Sequence, residues 1–385
     1  MRVIWKSRTD RLLLVMLAGS LVMTLRAAEW RYETVSQLGG GKFSSMRVDS
    51  HGNVNVSYVD DVTNQLKYSF WDHKIDKWFT TTLDDSGGFC SLALDSNQRP
   101  RISYLDYGTG KLKYAYWDGT AWHKEAIQIR AKEIFFYTSL TLDAQDNPSI
   151  SFYEYWGTGQ TYELHLRAVT WTGKYWAVRT VDSTPGSGKF NSMALDSAEN
   201  AHVAYANVAS ENASLRYATW NGRSWDVEIL EGSGQTNFPV FSVALIIDKQ
   251  NIPHITYTDV RNHLIKYATK KDGKWQMEVV DAIVQEAYPD KNGLLLDDQG
   301  NPYMSYYDSG AGVLKLAHKQ NGKWSAEVVD QNFAGLNSSL QMDHDTIWLT
   351  YADESGRGLK SARRPLESGY SASKDISSKL VPGSK

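Results

Sequence analysis

A single cysteine, Cys90, stands among 385 residues, so no disulfide forms within one chain and a cystine-stapled framework is excluded. Nine prolines beside 29 glycines rule out collagen-like character. Positive charge is scarce. The 41 Lys and Arg meet 44 Asp and Glu for a net −3, and residues 1–27 hold five of the bases and one acid, which leaves −7 on the remainder. A nucleic-acid partner therefore lacks its electrostatic footprint. After residue 25 no apolar run approaches the roughly 20 residues of a membrane span. No His-x-x-x-His pair, His/Cys cluster or Asp-x-Asp-x-Asp-Gly loop is present, so neither a metal nor a cofactor is expected. What is abundant is aromatic: 22 Tyr and 14 Trp in a chain that is 42% hydrophobic and 22% charged, which points to a folded, sheet-rich protein.

Arg2, Lys6, Arg8 and Arg11 precede the apolar run Leu12 to Leu25, and Ala27-Ala28 follow. That is a secretory signal pattern. Residues 1–27 are expected to direct export, cleaved or retained as an anchor, giving a secreted or periplasmic monomer with no further membrane span. Residues 365–385, rich in Ser and Lys, read as a disordered polar tail.

Between these ends the chain repeats. Trp30, Trp78, Trp122, Trp176, Trp225, Trp275 and Trp324 recur every 44 to 54 residues. A second register agrees: an Asp closes an apolar run and an aromatic follows nine positions later in Asp49/Tyr58, Asp95/Tyr104, Asp143/Phe152, Asp196/Tyr205, Asp248/Tyr257 and Asp297/Tyr306, and eight later in Asp343/Tyr351. Each unit reads as four short strands, with Asp118-Gly119, Asn221-Gly222, Asp272-Gly273 and Asn321-Gly322 supplying the positive φ of tight hairpins. The last unit ends without its Trp strand, whereas Trp30 to Val35 stands alone at the start and matches Trp275 to Val280. The expected fold is all-β, a seven-bladed β-propeller over residues 28–364, each blade a four-stranded antiparallel sheet and the ring closed by the N-terminal strand.

Two residues after each aromatic comes an acid or amide: Asp60, Asp106, Glu154, Asn207, Asp259, Asp308 and Asp353. The third strand offers a cation in each unit: Lys67, Lys113, Arg167, Arg216, Lys266, Lys315 and Lys360. Pairing across the hairpin is the expected role, in preference to metal or acid/base chemistry. The Trp series is expected to fill the wedges between blades. The small residues Ser45, Ser91, Ser139, Ser192, Ala244, Gly293 and Ser339 are expected to answer crowding at the axis. None of the serines has a Gly-x-Ser-x-Gly setting.

Function is expected where the repeat breaks. The third unit carries the longest insertion, which includes Glu154, Tyr155, Trp156, Glu163 and His165. Its aromatic faces suit a sugar ring, and its carboxylates and imidazole are the weak catalytic candidates; a longer hairpin packed on its neighbour is the plainer reading. Phe43, Phe89, Tyr137 and Phe190 share one position at the unit entrances, with Phe241 displaced by one and Lys291 and Asn337 breaking the series. They form either an aromatic arc at the channel mouth or inter-blade packing. Arg47 and Gln341 stand where other units have apolar or small side chains, and Arg47, with Arg261, is a candidate for holding an anionic group.

The unit seen in Leu296 to Asp308 and Leu314 to Ala317 resembles the repeats of exported bacterial β-propeller proteins over residues 30–364. A more distant likeness to sialidase-type Asp-box propellers lacks the Ser-x-Asp-x-Gly-x-x-Trp pattern. Seven-bladed polysaccharide lyases share the architecture, but their catalytic His and Tyr do not map onto this chain. Three functions stay open: an exported module binding glycan or another extracellular ligand, a carbohydrate-active hydrolase or lyase, and a scaffold for an extracellular protein.

Overall fold

The computed structural model describes residues 29–366, apart from 38, 130–134, 159–160, 210–212, 233–239, 284–290, 333, 344 and 354–357; of strand residues 135 and 155–163 it describes the backbone alone. Residues 1–28, where an export signal was expected, and residues 367–385, where a disordered tail was expected, lie outside the described residues. The described chain is strand throughout, with no helix, in seven four-stranded antiparallel sheets. The first strands of successive blades neighbour one another, and the first strand of blade 7 neighbours that of blade 1, so seven sheets stand in a ring around an axis. The N-terminal strand Arg31–Ser36 is the fourth strand of the last blade, with Tyr32 opposite Ala362 and Thr34 opposite Lys360. Closure is thus as the orphan Trp strand implied.

Alternation along the strands puts one apolar face of each sheet against the next blade, and the cores lie in these junctions. In one, Val59 and Leu66 of blade 1 pack with Leu92, Ile102 and Tyr104 of blade 2. The repeated Trp is a wedge: Trp122, Trp275 and Trp324 stand edge-on to Tyr68, Tyr217 and Tyr267 of the preceding blade at centroid distances of 5.0, 5.0 and 5.3 Å. The indole N–H of Trp78, Trp275 and Trp324 donates to Glu33, Glu228 and Glu278 on the preceding outer strand at 3.1, 3.0 and 2.8 Å.

The acid/cation pairing holds in five blades and is corrected in two. Lys113, Arg167, Lys266, Lys315 and Lys360 meet Asp106, Glu154, Asp259, Asp308 and Asp353 at 2.7 to 3.3 Å. Lys67 instead donates to Gln65 and Thr82, while Asp60 accepts the N–H groups of Val62 and Thr63. Arg216 pairs with Asp182 at 2.9 Å because Asn207 offers no charge.

Asp182 belongs to the previous blade, and there sequence reading missed a partner. An acid six residues after the wedge Trp reaches across four further junctions. Asp84 accepts from the Tyr104 hydroxyl at 2.7 Å and from Lys113 at 3.0 Å, and Asp281 does the same for Tyr306 and Lys315 at 2.6 and 2.9 Å. Glu231 and Asp330 hold Tyr257 and Tyr351. Burial opposes the Asp106 charge, yet the hydrogen bonds from Lys113 and Thr109 hold its pKa down to about 2. Two units have no acid at this position: Gln128 stands there ahead of the blade that carries Phe152, and Ser36 ahead of the blade of Tyr58, whose buried hydroxyl has no hydrogen-bond partner.

Candidate functional site

The channel mouth is built by the start of each first strand. Register slips at this point in six blades, between Lys42/Ser45, Gly88/Ser91, Phe136/Ser139, Lys189/Ser192, Phe241/Ala244 and Leu336/Ser339. Each slip is a bulge, and one residue of each sits in the left-handed region: Phe43, Phe89, Tyr137, Phe190, Ser242 and Asn337, with φ from 48 to 57°. A bulky side chain there is an outlier that costs about 1–3 kcal/mol and persists only where its surroundings over-determine it.

Two rings of hydrogen bonds do so. The residue after the bulge position donates to the bulge carbonyl of the preceding blade: Ser44 to Asn337 and Thr138 to Phe89 at 2.6 Å, Asn191 to Tyr137 at 2.6 Å, and the Cys90 thiol to Phe43 at 3.2 Å. One residue further, the hydroxyls of Ser45, Ser91, Ser139, Ser192 and Ser339 each accept a backbone N–H from the next blade at 2.9 to 3.1 Å. Crowding at the axis is real at Gly293, where an added Cβ would stand 2.5 Å from Leu340. For the serines it is half of the reason, because the hydroxyl itself closes the ring. Ala244 and Gly293 have no such oxygen, so the junctions on either side of blade 6 lack this bond.

The bulge turns the aromatic side chains to the mouth, where they touch in series. Centroids of Phe43–Phe89, Phe89–Tyr137, Tyr137–Phe190 and Phe190–Phe241 lie 4.1, 4.7, 4.7 and 5.1 Å apart, in tilted pairs at 39 to 56°. The aromatic arc and the inter-blade packing are therefore one feature. Phe43, Phe89 and Tyr137 remain half-buried, whereas Phe190 is buried. The four residues Phe43, Phe89, Tyr137 and Phe190 line a cavity of about 320 Å³ that continues down the channel past the serine ring to Arg47 and Gln341. Blades 6 and 7 present Lys291 and Asn337 to the same space. Burial, then the Arg47 charge, pulls the Lys291 ammonium down to about 8. Burial likewise lowers Arg47, whose guanidinium donates to the Met46 carbonyl at 2.7 Å.

Of the other candidates, Glu154, His165 and Arg261 are not among the residues that line this cavity. Glu154 is fully buried, held by Arg167 at 2.7 Å and opposite His165 in the sheet. Tyr155, Trp156 and Glu163 continue the hairpin pairing beyond Glu154, which faces Phe135 at the start of the first strand, so the hairpin rises on the mouth side; their side chains lie outside the described residues. Arg261 is exposed in the turn 260–263 and does not line the cavity. His202 and His254 are buried beside Asp196 and Asp248 at 3.3 and 3.2 Å, at the opposite end of the blades. Burial lowers both imidazoles, and their recurrence in adjacent blades marks them as framework.

No family model matches the chain, and no curated protein sequence does. Solved structures do. A protein of unknown function from Dyadobacter fermentans aligns with a TM-score of 0.52 at 11% identity, covering 89% of this chain and 99% of the other. The polysaccharide lyase Uly1 aligns at 0.52 and 8%, covering 90% and 93%. The NanB sialidase of Streptococcus pneumoniae aligns at 0.48 and 11%, covering 88% and 70%. At such identities the likeness is one of fold.

Proposed function

We propose that this chain is an exported ligand-binding β-propeller that recognises a glycan at the mouth of its channel. The observation that carries this reading is the aromatic arc: five rings in unbroken contact across five blades, four of them on residues whose backbone is held in the left-handed region. The left-handed bulge recurs at Ser242 and Asn337 and so belongs to the repeat; what sets blades 1 to 4 apart is that the residue it carries is aromatic, which aligns ring faces along the mouth. The cavity lies at the lower end of the roughly 300–1,000 Å³ range of small-molecule sites, with hydroxyl and amide groups beneath the rings to orient sugar hydroxyls. The export pattern of residues 1–27 suits an extracellular glycan, and Uly1 offers an example of this scaffold in a protein acting on polysaccharide. An enzymatic reading finds less support, since the described residues lining the cavity include no carboxylate or imidazole.

The test is a glycan array followed by calorimetry. Phe89→Ala removes the ring at the centre of the arc and is expected to weaken binding about tenfold, equivalent to about 1.4 kcal/mol. Absence of binding across diverse glycans removes this ligand class.

A further inference from the structure

We infer that the glycan ends in an N-acylated sugar, its amide held by Arg47 and Gln341 at the floor of the channel and its methyl group set against Ile246; this rests on the reading of the mouth as a glycan site. The floor comes from one level of the repeat, two residues beyond the serine ring. Arg47 of blade 1, Gln341 of blade 7 and Ile246 of blade 5 line the cavity there, and they stand opposite Asn55, Trp348 and His254 in their sheets. Blades 2, 3, 4 and 6 carry Ala93, Thr141, Ala194 and Leu295 at this level, so the framework does not call for a long polar side chain.

Blades 7 and 1 are neighbours, joined at this depth by the Met46 N–H, which donates to the Ser339 hydroxyl at 3.1 Å. Their two polar groups are little used within the protein. The Arg47 guanidinium donates to the Met46 carbonyl at 2.7 Å, and among the described residues neither it nor the Gln341 amide bonds another side chain. Polar groups that line a sheltered cavity with bonds unmade are costly, and a ligand that makes those bonds gains accordingly. Arginine only donates, whereas a carboxamide donates and accepts. Another amide answers both: its carbonyl accepts from Arg47 in a charge-assisted bond, and its N–H donates to the Gln341 oxygen.

The next sector of the ring favours an acyl group over a carboxylate. Blades 5 and 6 present Ile246 with Ala244 and Gly293 above it, at the two positions where the serine hydroxyl is missing. An acyl methyl fills that apolar side, and a carboxylate has nothing to place there. A strand rises about 3.3 Å per residue, so the floor lies roughly 7 Å below the serine ring. The terminal sugar therefore enters end-on, with its acyl arm leading.

After a glycan array, the full chain is titrated by calorimetry with methyl glycosides of N-acetylglucosamine, N-acetylgalactosamine and N-acetylmannosamine, each beside the hexose that has a hydroxyl in place of the acetamido group, and with a methyl galacturonide. At least one N-acetyl sugar is expected to bind about tenfold more tightly than its hydroxyl counterpart. Among variants that keep the parent melting temperature, Gln341→Leu and Arg47→Met should each bring that pair to similar affinity. Arg47→Lys should keep most of the preference, and Ile246→Phe, which fills the floor, should remove it. Phe89→Ala should weaken both members of the pair alike. Equal affinity within every pair, or a preference unchanged in Gln341→Leu and Arg47→Met, overturns the inference and leaves the glycan reading standing. Binding confined to the uronic acid, or array binding that includes no N-acetyl sugar, does the same. No binding to any saccharide overturns both.

Discussion

Replacing Lys266 by Met should destabilise the ring far more than the same change at Lys67, although the two lysines occupy one position of the repeat. Lys266 Nζ lies 2.9 Å from Asp259, whose side chain is fully buried, and 2.6 Å from Glu231 of the previous blade, which also accepts the Tyr257 hydroxyl. Removing the ammonium strands a buried carboxylate, a loss of about 3–5 kcal/mol. Lys67 has two neutral partners, Gln65 at 2.7 Å and Thr82 at 2.6 Å, worth roughly 0.5–1.5 kcal/mol each before allowance for solvent. The assay is urea unfolding followed by tryptophan fluorescence, with Lys266→Met expected to cost at least about 2 kcal/mol more than Lys67→Met. Adding Asp259→Asn to Lys266→Met should recover part of the loss, since the stranded charge is then gone. Equal midpoint shifts for the two single variants would refute the reasoning, because they would make the lysine stem, not its ionic partners, the source of the stability.

Tyr58→Phe is expected to raise stability by about 1 kcal/mol, because it deletes a buried hydroxyl without a partner, whereas Tyr104→Phe, which breaks the bond to Asp84, should lower it by about 1.5–3 kcal/mol. Thermal melts of the two variants check the opposite signs, and a loss at Tyr58 equal to that at Tyr104 contradicts the account. Deleting residues 30–36 removes the outer strand of the last blade and with it buried Val35; the ring should then unfold as a unit at a melting temperature lower by at least roughly 5 °C, and an unchanged temperature contradicts the closure.

The fold was legible because period and composition act locally. Trp spacing, Asp turns and Asn-Gly or Asp-Gly hairpins each report on a few consecutive residues, and the orphan strand at Trp30 supplied the one long-range fact that closes the ring. Contacts between blades were harder. Asp84, Asp182, Glu231, Asp281 and Asp330 recur six residues after the wedge Trp, a regularity open to inspection, but their partners lie in the next unit, and pairing within one hairpin gave a nearer explanation. At the mouth, the shared position of Phe43, Phe89, Tyr137 and Phe190 was visible, while their left-handed backbone was not, since aromatic residues seldom adopt it. Arg47 stood out as a break in the pattern; Lys291 read only as an interruption of the arc, and its nearness to Arg47 depends on curvature that brings blade 6 round to blade 1. Glu154 and Arg261 illustrate the converse: proximity in sequence to an insertion or a turn did not bring them to the cavity.

The serine clasp is missing only at the two seams that flank blade 6, where Ala244 and Gly293 replace it. The inner wall is accordingly not equally cross-linked around its circumference. Five seams carry this latch next to the axis, and the two without it border the blade that holds Lys291. If the mouth takes a ligand as proposed, that ligand would face clasped seams along the aromatic arc and unclasped ones beside a single leaf of the seven.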